Sequence, residues 1–280
     1  MFEFFFICGI VWFLFVVLKH LIDKSAYKRK IARIQAEIDA RQVGTAPLKR
    51  EDVLRSHRSC DRDEIRRGSF REHDEKPRPT RIHAKPEIDK FLGVKRNTRV
   101  IVFDVETNGL SGNYSVLSCS AIKYNADPNS YEVSELDRFN RYYYPVEQFD
   151  PAAISVNGLT KEVIAEKRGT ATYPEHFCMD SDFETFCSDT RRFVAHNISF
   201  DCRFVPFIGN KKKLCTMMTN MDIVAVEYMK WKKEWKWPKL SETAVYYGIR
   251  FSERELHSSM ADAEITAKIF MKMLETARIS

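Results

Sequence analysis

An uninterrupted apolar run opens the chain: Phe4 to Leu18 reads FFFICGIVWFLFVVL, and Leu21 and Ile22 extend it past Lys19 and His20. As a helix rising about 1.5 Å per residue, the first eighteen residues span roughly 27 Å of a hydrocarbon core near 30 Å, and a snorkelling Lys19 closes the gap. The run predicts a single transmembrane anchor over residues 1–22. A cleaved secretory signal is the competing reading, and it needs basic residues before the run and a small-residue cleavage site after it. This chain has Glu3 before and Lys19-His20 after. Behind the anchor, Tyr27, Ile31, Ile34 and Ile38 recur at spacings of 4, 3 and 4, the narrow seam of a short juxtamembrane basic helix over 23–43. Residues 44–96 then carry much charge, few large apolar side chains, and Pro47, Pro77, Pro79 and Pro86. Such a composition buries too little surface to offset ordering, and it predicts a disordered basic tether with a reach on the order of 40 Å.

Past the tether the pattern becomes that of a folded domain, expected over 97–280. Val100-Ile101-Val102-Phe103 reads as a buried strand. Further strands are predicted over 115–124, 136–145 and 192–195, with a helix over 182–189. After Ala195 the chain reads His196-Asn197-Ile198-Ser199-Phe200-Asp201, where Ser199 is a candidate helix cap and Asp201, Phe204, Val205 and Ile208 fall on one helical face. Near the C-terminus Asp262, Ile265, Ile269 and Met273 share a face in the same way.

Composition changes this picture in one respect. Of 280 residues 45 are Lys or Arg and 39 are Asp or Glu, but residues 19–99 hold 23 of the basic and 13 of the acidic groups, leaving residues 100–280 with 22 and 25. The folded part is therefore slightly acidic, which excludes a broadly cationic nucleic-acid coat protein. Lys19, Lys24, Lys28, Arg29, Lys30 and Arg33 follow the apolar run and no basic side chain precedes it, so the positive-inside bias predicts a single-pass membrane protein with its C-terminal domain in the cytoplasm. Seven cysteines, odd in number and never spaced C-x-x-C, offer neither a disulfide framework nor a zinc knuckle and agree with a reducing compartment.

The chemistry-bearing residues are acids. Period-two geometry puts Asp104 and Glu106 on one face at the end of the first strand, and neighbouring carboxylates repel unless they share a cation, for which Mg²⁺ or Mn²⁺ suits hard oxygen ligands. That spacing alone is cheap, since Asp182 and Glu184 have it too. Asp201 faces inward among apolar neighbours and needs a partner or a metal, although an acid in a first helical turn is also simply favoured by the helix dipole. Asp262 projects from the last helix, five residues after His257.

Taken in order, FDVETNGL at 103–110, HNISFD at 196–201 and HSSMAD at 257–262 resemble the three motifs of the DnaQ-like DEDDh 3′–5′ exonucleases, and RYYYPVEQFDPAAISVNGLT at 141–160 is similar to that family's intervening strand and turn. The sister class has Tyr in place of the His; position 258, where that Tyr would fall, is Ser. The resemblance covers roughly residues 98–276. It implies an α/β, RNase H-like fold, a mixed five-stranded sheet flanked by helices, here preceded by the anchor and flexible tether. It implies two divalent cations, Mg²⁺ or Mn²⁺, held by Asp104, Glu106, Asp201 and Asp262, with His257 as general base. Imidazole changes charge near neutral pH, which suits removing a proton from the attacking water. Thr107, Asn108, Leu110 and Asn197 are implied as substrate contacts. The expected activity is release of nucleoside 5′-monophosphates from the 3′ end of single-stranded nucleic acid, DNA slightly favoured over RNA. The expected partners are nucleic acid with a free 3′ end, a lipid bilayer through residues 1–22, and a second copy in a homodimer as one option. A catalytically idle binding module and a proofreading subunit beside an unspecified polymerase are the alternatives.

One further segment stands apart. MKWKKEWKWPKL at 229–240 interleaves Trp231, Trp235 and Trp237 with five lysines, and in the family it falls in a loop between helices. Base stacking with lysines on phosphates, a belt in the lipid headgroup region, and packing into the domain are all open to it.

Overall fold

The structure, a computed structural model, describes residues 83–93, 98–252 and 256–280. The expected anchor over 1–22, the helix over 23–43 and most of the tether lie outside them. Among the described residues no helix is long and apolar enough to cross a membrane.

The main sheet has five strands: β1 (Thr98–Thr107), β2 (Val116–Ala126), β3 (Val133–Tyr142), β4 (Arg192–Ala195) and β5 (Lys212–Cys215), in the spatial order β3-β2-β1-β4-β5. The first three form an antiparallel meander, and β4 and β5 join parallel to β1. This is the mixed five-stranded sheet flanked by helices that the resemblance implied. The helices are α1 (Lys85–Leu92), α2 (Pro151–Asn157), α3 (Lys161–Arg168), α4 (Asp182–Cys187), α5 (Ile198–Asp201), α6 (Thr216–Thr219), α7 (Met221–Val224), α8 (Leu240–Tyr246) and α9 (Ser259–Arg278). A separate two-stranded ribbon pairs β6 (Tyr228–Met229) with β7 (Glu234–Trp235), where the resemblance implied a plain loop.

β1 is central, and its period-two alternation divides the core. Val100 and Val102 pack with Ile265, Ile269, Phe270 and Met273 of α9, while Ile101, Phe103 and Val105 pack on the opposite face with Phe183, Phe193 and Ile198. Burial on both faces is why the strand reads as a continuous apolar run. It also puts Asp104 and Glu106, in phase with Val100 and Val102, on the face that carries α9.

The folded region begins earlier than the composition suggested. Lys85–Leu92, expected in the tether, forms α1, with Ile88 and Leu92 fully buried and the Phe91 ring edge-on to Phe270 at 6.1 Å. The Arg192 guanidinium donates to the carbonyls of Phe91 and Leu92 at 2.8 and 2.7 Å, and Lys85 Nζ donates to the carbonyl of Ala277 at 3.0 Å. Pro86 misled because proline is permitted in the first helical turn, where its missing N–H bonds nothing. Two smaller differences concern local signals. Asn197, at φ 72°, takes the cap position expected of Ser199, and the left-handed region favours Asn. β5 was not foreseen, since its four residues at the sheet edge include two lysines.

Because α1 ties down the far end of α9, Leu92→Ala is expected to destabilise the domain by about 2–4 kcal/mol. Thermal melting checks this, and a chain beginning at residue 95 should melt lower still.

Candidate active site

The acids meet at the C-terminal end of β1. Asp104 and Glu106 leave the strand just before a register shift between Glu106 and Thr107, a bulge of the kind that re-aims side chains beside functional sites. Asp201, only 2% exposed, comes from α5 and accepts a hydrogen bond from the backbone N–H of Val105 at 3.3 Å. Asp262 comes from the first turn of α9, and its Oδ2 accepts from the backbone N–H of His257 at 3.3 Å. Donor atoms of Glu106, His257 and Asp262 all lie within 4.8 Å of one another.

Electrostatics show the strain of this gathering. Burial raises the carboxyls of Asp104 and Glu106 well above the usual range, and the charges of Asp201 and Asp262 raise both further. Burial likewise pushes Asp201 and Asp262 up to about 7, although each accepts backbone hydrogen bonds that pull the other way. Asp262 Oδ1 is buried and has no hydrogen-bond partner. An orphaned buried carboxylate oxygen, set among three more acids that each raise the cost of ionising the next, fits a hard divalent cation.

The helix carrying Asp262 is pinned to the sheet. Ser259 and Ser120, both fully buried, join hydroxyls at 2.7 Å, and Ser120 donates to Asn140 Oδ1 at 2.9 Å. Ser120 lies directly opposite Asp104 in the ladder, so one hydroxyl pair sets the first turn of α9 against the strand that holds the other acids. Sequence reasoning passed over this pair because isolated serines carry no periodic signal.

The expected substrate residues divide. Leu110 is 79% exposed, and Asn197 is exposed at the mouth of α5. Thr107 and Asn108, by contrast, turn inward: Thr107 Oγ1 donates to the Gly109 carbonyl at 2.7 Å, and Asn108 is fully buried. Asn108 Nδ2 donates to Glu147 Oε1 and to the Gln148 carbonyl, each at 2.8 Å, while its Oδ1 accepts from Asp150 N–H at 2.9 Å. The reading of the Asn108 side chain as a substrate contact is therefore corrected, since all of its polar atoms are engaged inside the protein. It clamps the loop that presents Leu110 to the segment entering α2.

Glu147 is the other half of that clamp and was not singled out from sequence. It accepts from the N–H and hydroxyl of Ser115 at 2.9 and 2.7 Å. Burial tends to raise its carboxyl, but the bonds from Ser115 and Asn108 outweigh it and hold the group below the ordinary value. Asn108→Ala strands these partners and is expected to cost about 1–3 kcal/mol. The same substitution should raise KM more than it lowers kcat in steady-state kinetics, because the loop loosens while the acids stay in place.

His196, which shares the His-x4-Asp spacing with His257, has a structural place. Its ring nitrogens meet Thr216 Oγ1 and the Pro238 carbonyl, each at 3.0 Å, and burial lowers it to about 4. Of the three tryptophans, Trp235 is 8% exposed and packs on Tyr228, whereas Trp231 and Trp237 are 79% and 52% exposed.

Comparison with known proteins gives this geometry its context. The chain is 29% identical over 184 residues to a PolC-type DNA polymerase III of Staphylococcus aureus, a match that takes in 65% of this chain and 12% of the polymerase. It thus spans only about an eighth of the length of the curated relatives it matches. Among solved structures it is similar to exonuclease X in complex with 5′-overhanging duplex DNA, at 18% identity and TM-score 0.42, covering 64% of this chain and 92% of that one. It is also similar to Escherichia coli exonuclease I in complex with a dT13 oligonucleotide, at 16% identity and TM-score 0.46, covering 65% and 41%. Residues 101–270, well over half of the chain and including every acid of the cluster, match the RNase_T family, described as exonuclease. The chain belongs to this exonuclease family.

Proposed function

We propose that the protein is a membrane-tethered, metal-dependent 3′–5′ exonuclease that shortens single-stranded nucleic acid, DNA slightly before RNA, by one nucleoside 5′-monophosphate at a time. The observation that carries this reading is the gathering of Asp104, Glu106, Asp201 and Asp262 beside His257, with one carboxylate oxygen buried and unpartnered. Those four acids would hold two divalent cations, Mg²⁺ or Mn²⁺, which when bound stabilise the attacking and leaving oxygens of an in-line displacement at phosphorus. His257 takes the proton from the attacking water as the new O–P bond forms. The P–O3′ bond breaks, and the departing 3′ oxygen is protonated from solvent. Leu110, exposed on a clamped loop, packs against the terminal base, and Asn197, exposed at the start of the helix that carries Asp201, supports the site.

The test is incubation of the full chain with 5′-labelled single-stranded DNA, RNA and duplexes in Mg²⁺, Mn²⁺ or EDTA, beside Asp104→Ala. A ladder shortening from the 3′ end, present only with metal and only in the unsubstituted protein, is the expected result. Absence of mononucleotide release on every substrate would sink the reading.

The apolar run and the basic flank behind it support anchoring through residues 1–22 with the domain in the cytoplasm. In intact cells Cys60 should then resist an impermeant thiol reagent, and strong labelling overturns that topology. A second reading, proofreading beside a polymerase, is favoured by the likeness to PolC. Co-purification of polymerase activity with the tagged protein would support it.

A further inference from the structure

We infer that the β6–β7 ribbon is the surface on which the 5′ side of a single-stranded substrate rides as its 3′ end enters the acid cluster. This rests on the exonuclease reading above and adds a subsite to it. The ribbon is short and held at its root. Tyr228 pairs with Trp235 and Met229 with Glu234, the Tyr228 and Trp235 rings pack at 5.3 Å, and Lys236 N–H donates to the Glu227 carbonyl at 2.8 Å. One indole is spent on this packing, and the other two are turned outward.

The turn between the strands is Lys230-Trp231-Lys232-Lys233, closed by a hydrogen bond from Lys232 N–H to the Met229 carbonyl at 3.0 Å, with Lys233 in the left-handed region at φ 55°. All four side chains are exposed, as are Trp237 and Lys239 beyond β7. Lys232 Nζ stands 4.7 Å from the Trp231 ring centre, so an aromatic face and a cation are presented together. Residues 227–239 contain five lysines against Glu227 and Glu234, while residues 100–280 as a whole carry 22 basic and 25 acidic groups. Positive charge in an otherwise acidic domain is thus concentrated on the element that also exposes its tryptophans. A polyanion with stackable bases complements both features at once.

Position ties the ribbon to the active site. Pro238, three residues past β7, has its carbonyl 3.0 Å from His196 Nε2. His196 directly follows β4, which runs parallel to β1 with Val194 level with Val102, so it lies at the same end of the sheet as Asp104. His196 also leads directly into α5, which ends in Asp201. The root of the ribbon is thus attached at the end of the sheet where the acids gather, within reach of a strand whose terminal phosphodiester lies among them.

The experiment compares the full chain with Trp231→Ala/Trp237→Ala, which spares the buried Trp235, on 5′-labelled dT3 and dT20. The ratio of kcat/KM for the twentymer to that for the trimer is expected to fall about tenfold or more, in keeping with base–aromatic stacking. Replacing Lys230, Lys232 and Lys233 with Gln should flatten the salt dependence of dT20 binding by a slope of about 2. An unchanged ratio together with an unchanged slope overturns the proposal. So does loss, on Trp231→Ala, of quenching by brominated-lipid vesicles while dT20 binding is kept, because the ribbon is then a lipid contact. If the unsubstituted protein releases no nucleotide from either strand, nor from the RNA and duplex substrates above, the exonuclease reading fails by itself. Anisotropy of labelled dT20 in EDTA then decides the ribbon, with weaker binding in the double variant supporting it and equal binding overturning it.

Discussion

Asp201→Asn is expected to cut nucleotide release by a factor of about 100–1000 or more while raising the melting temperature of the metal-free protein at pH 8. Both effects follow from one carboxylate. Burial lifts Asp201 from 3.8 to about 7, so the folded state binds a proton that the unfolded state has already lost between those values. The stability this confers is fully present below about pH 4 and disappears as pH rises through about 7. At pH 8 the metal-free fold carries an ionised, buried acid beside Asp104, Glu106 and Asp262, at a cost on the order of 3 kcal/mol. Asn keeps an acceptor for the Val105 N–H and removes the charge. For a domain of this size the gain corresponds to a rise of about 5–10 °C. Scanning calorimetry of both proteins at pH 4 and pH 8 checks the sign, because the gap should be wide at pH 8 and nearly closed at pH 4. Divalent cation should stabilise the unsubstituted protein at pH 8 and do much less for the variant. A variant less stable than its parent at pH 8 would show that Asp201 is a structural acid.

His257→Asn should lower kcat by about 100- to 10,000-fold with KM and melting temperature nearly unchanged. Asn is the informative replacement. His257 sits at φ 69°, a left-handed conformation that Asn tolerates and Ala does not, and its backbone N–H donates to Asp262 Oδ2. Alanine would mix loss of the ring with strain on the residue that seats Asp262. With Asn the acid keeps its hydrogen bond, so a fall in kcat reports the missing imidazole. A variant with full turnover removes His257 from the role of base.

Some of this was legible in the chain and some was not, for physical reasons that differ by residue. β1, β4 and the last helix are read directly, since burial on both faces or on one stripe writes itself as an apolar run or a 3.6-residue period. Asp104 and Asp262 sit on such elements, but the helix expected to carry Asp201 together with Phe204, Val205 and Ile208 ends at Asp201, so the place of that acid among the three motifs is legible only through the resemblance. α1 was lost because eight residues with three apolar side chains vanish in the average of a charged tether, and only their burial against Phe270 and Arg192 distinguishes them. Asn108 and Glu147 carry no pattern at all. Whether Asn108 faces substrate or protein depends on a loop 39 residues away in sequence.

By itself the sequence determined the resemblance to the exonuclease family, through the order of its motifs, and the separation of a charged N-terminal third from a folded domain, through residue type and local period. Tertiary structure alone decided that the four acids share one place, that Asp262 leaves an oxygen unpartnered there, that Thr107 and Asn108 turn inward, and that Trp235 packs while Trp231 and Trp237 stand out. Each of those outcomes is a contact between elements far apart along the chain. Such contacts are set by how β1, α5, α9 and the ribbon pack, and no local pattern records them.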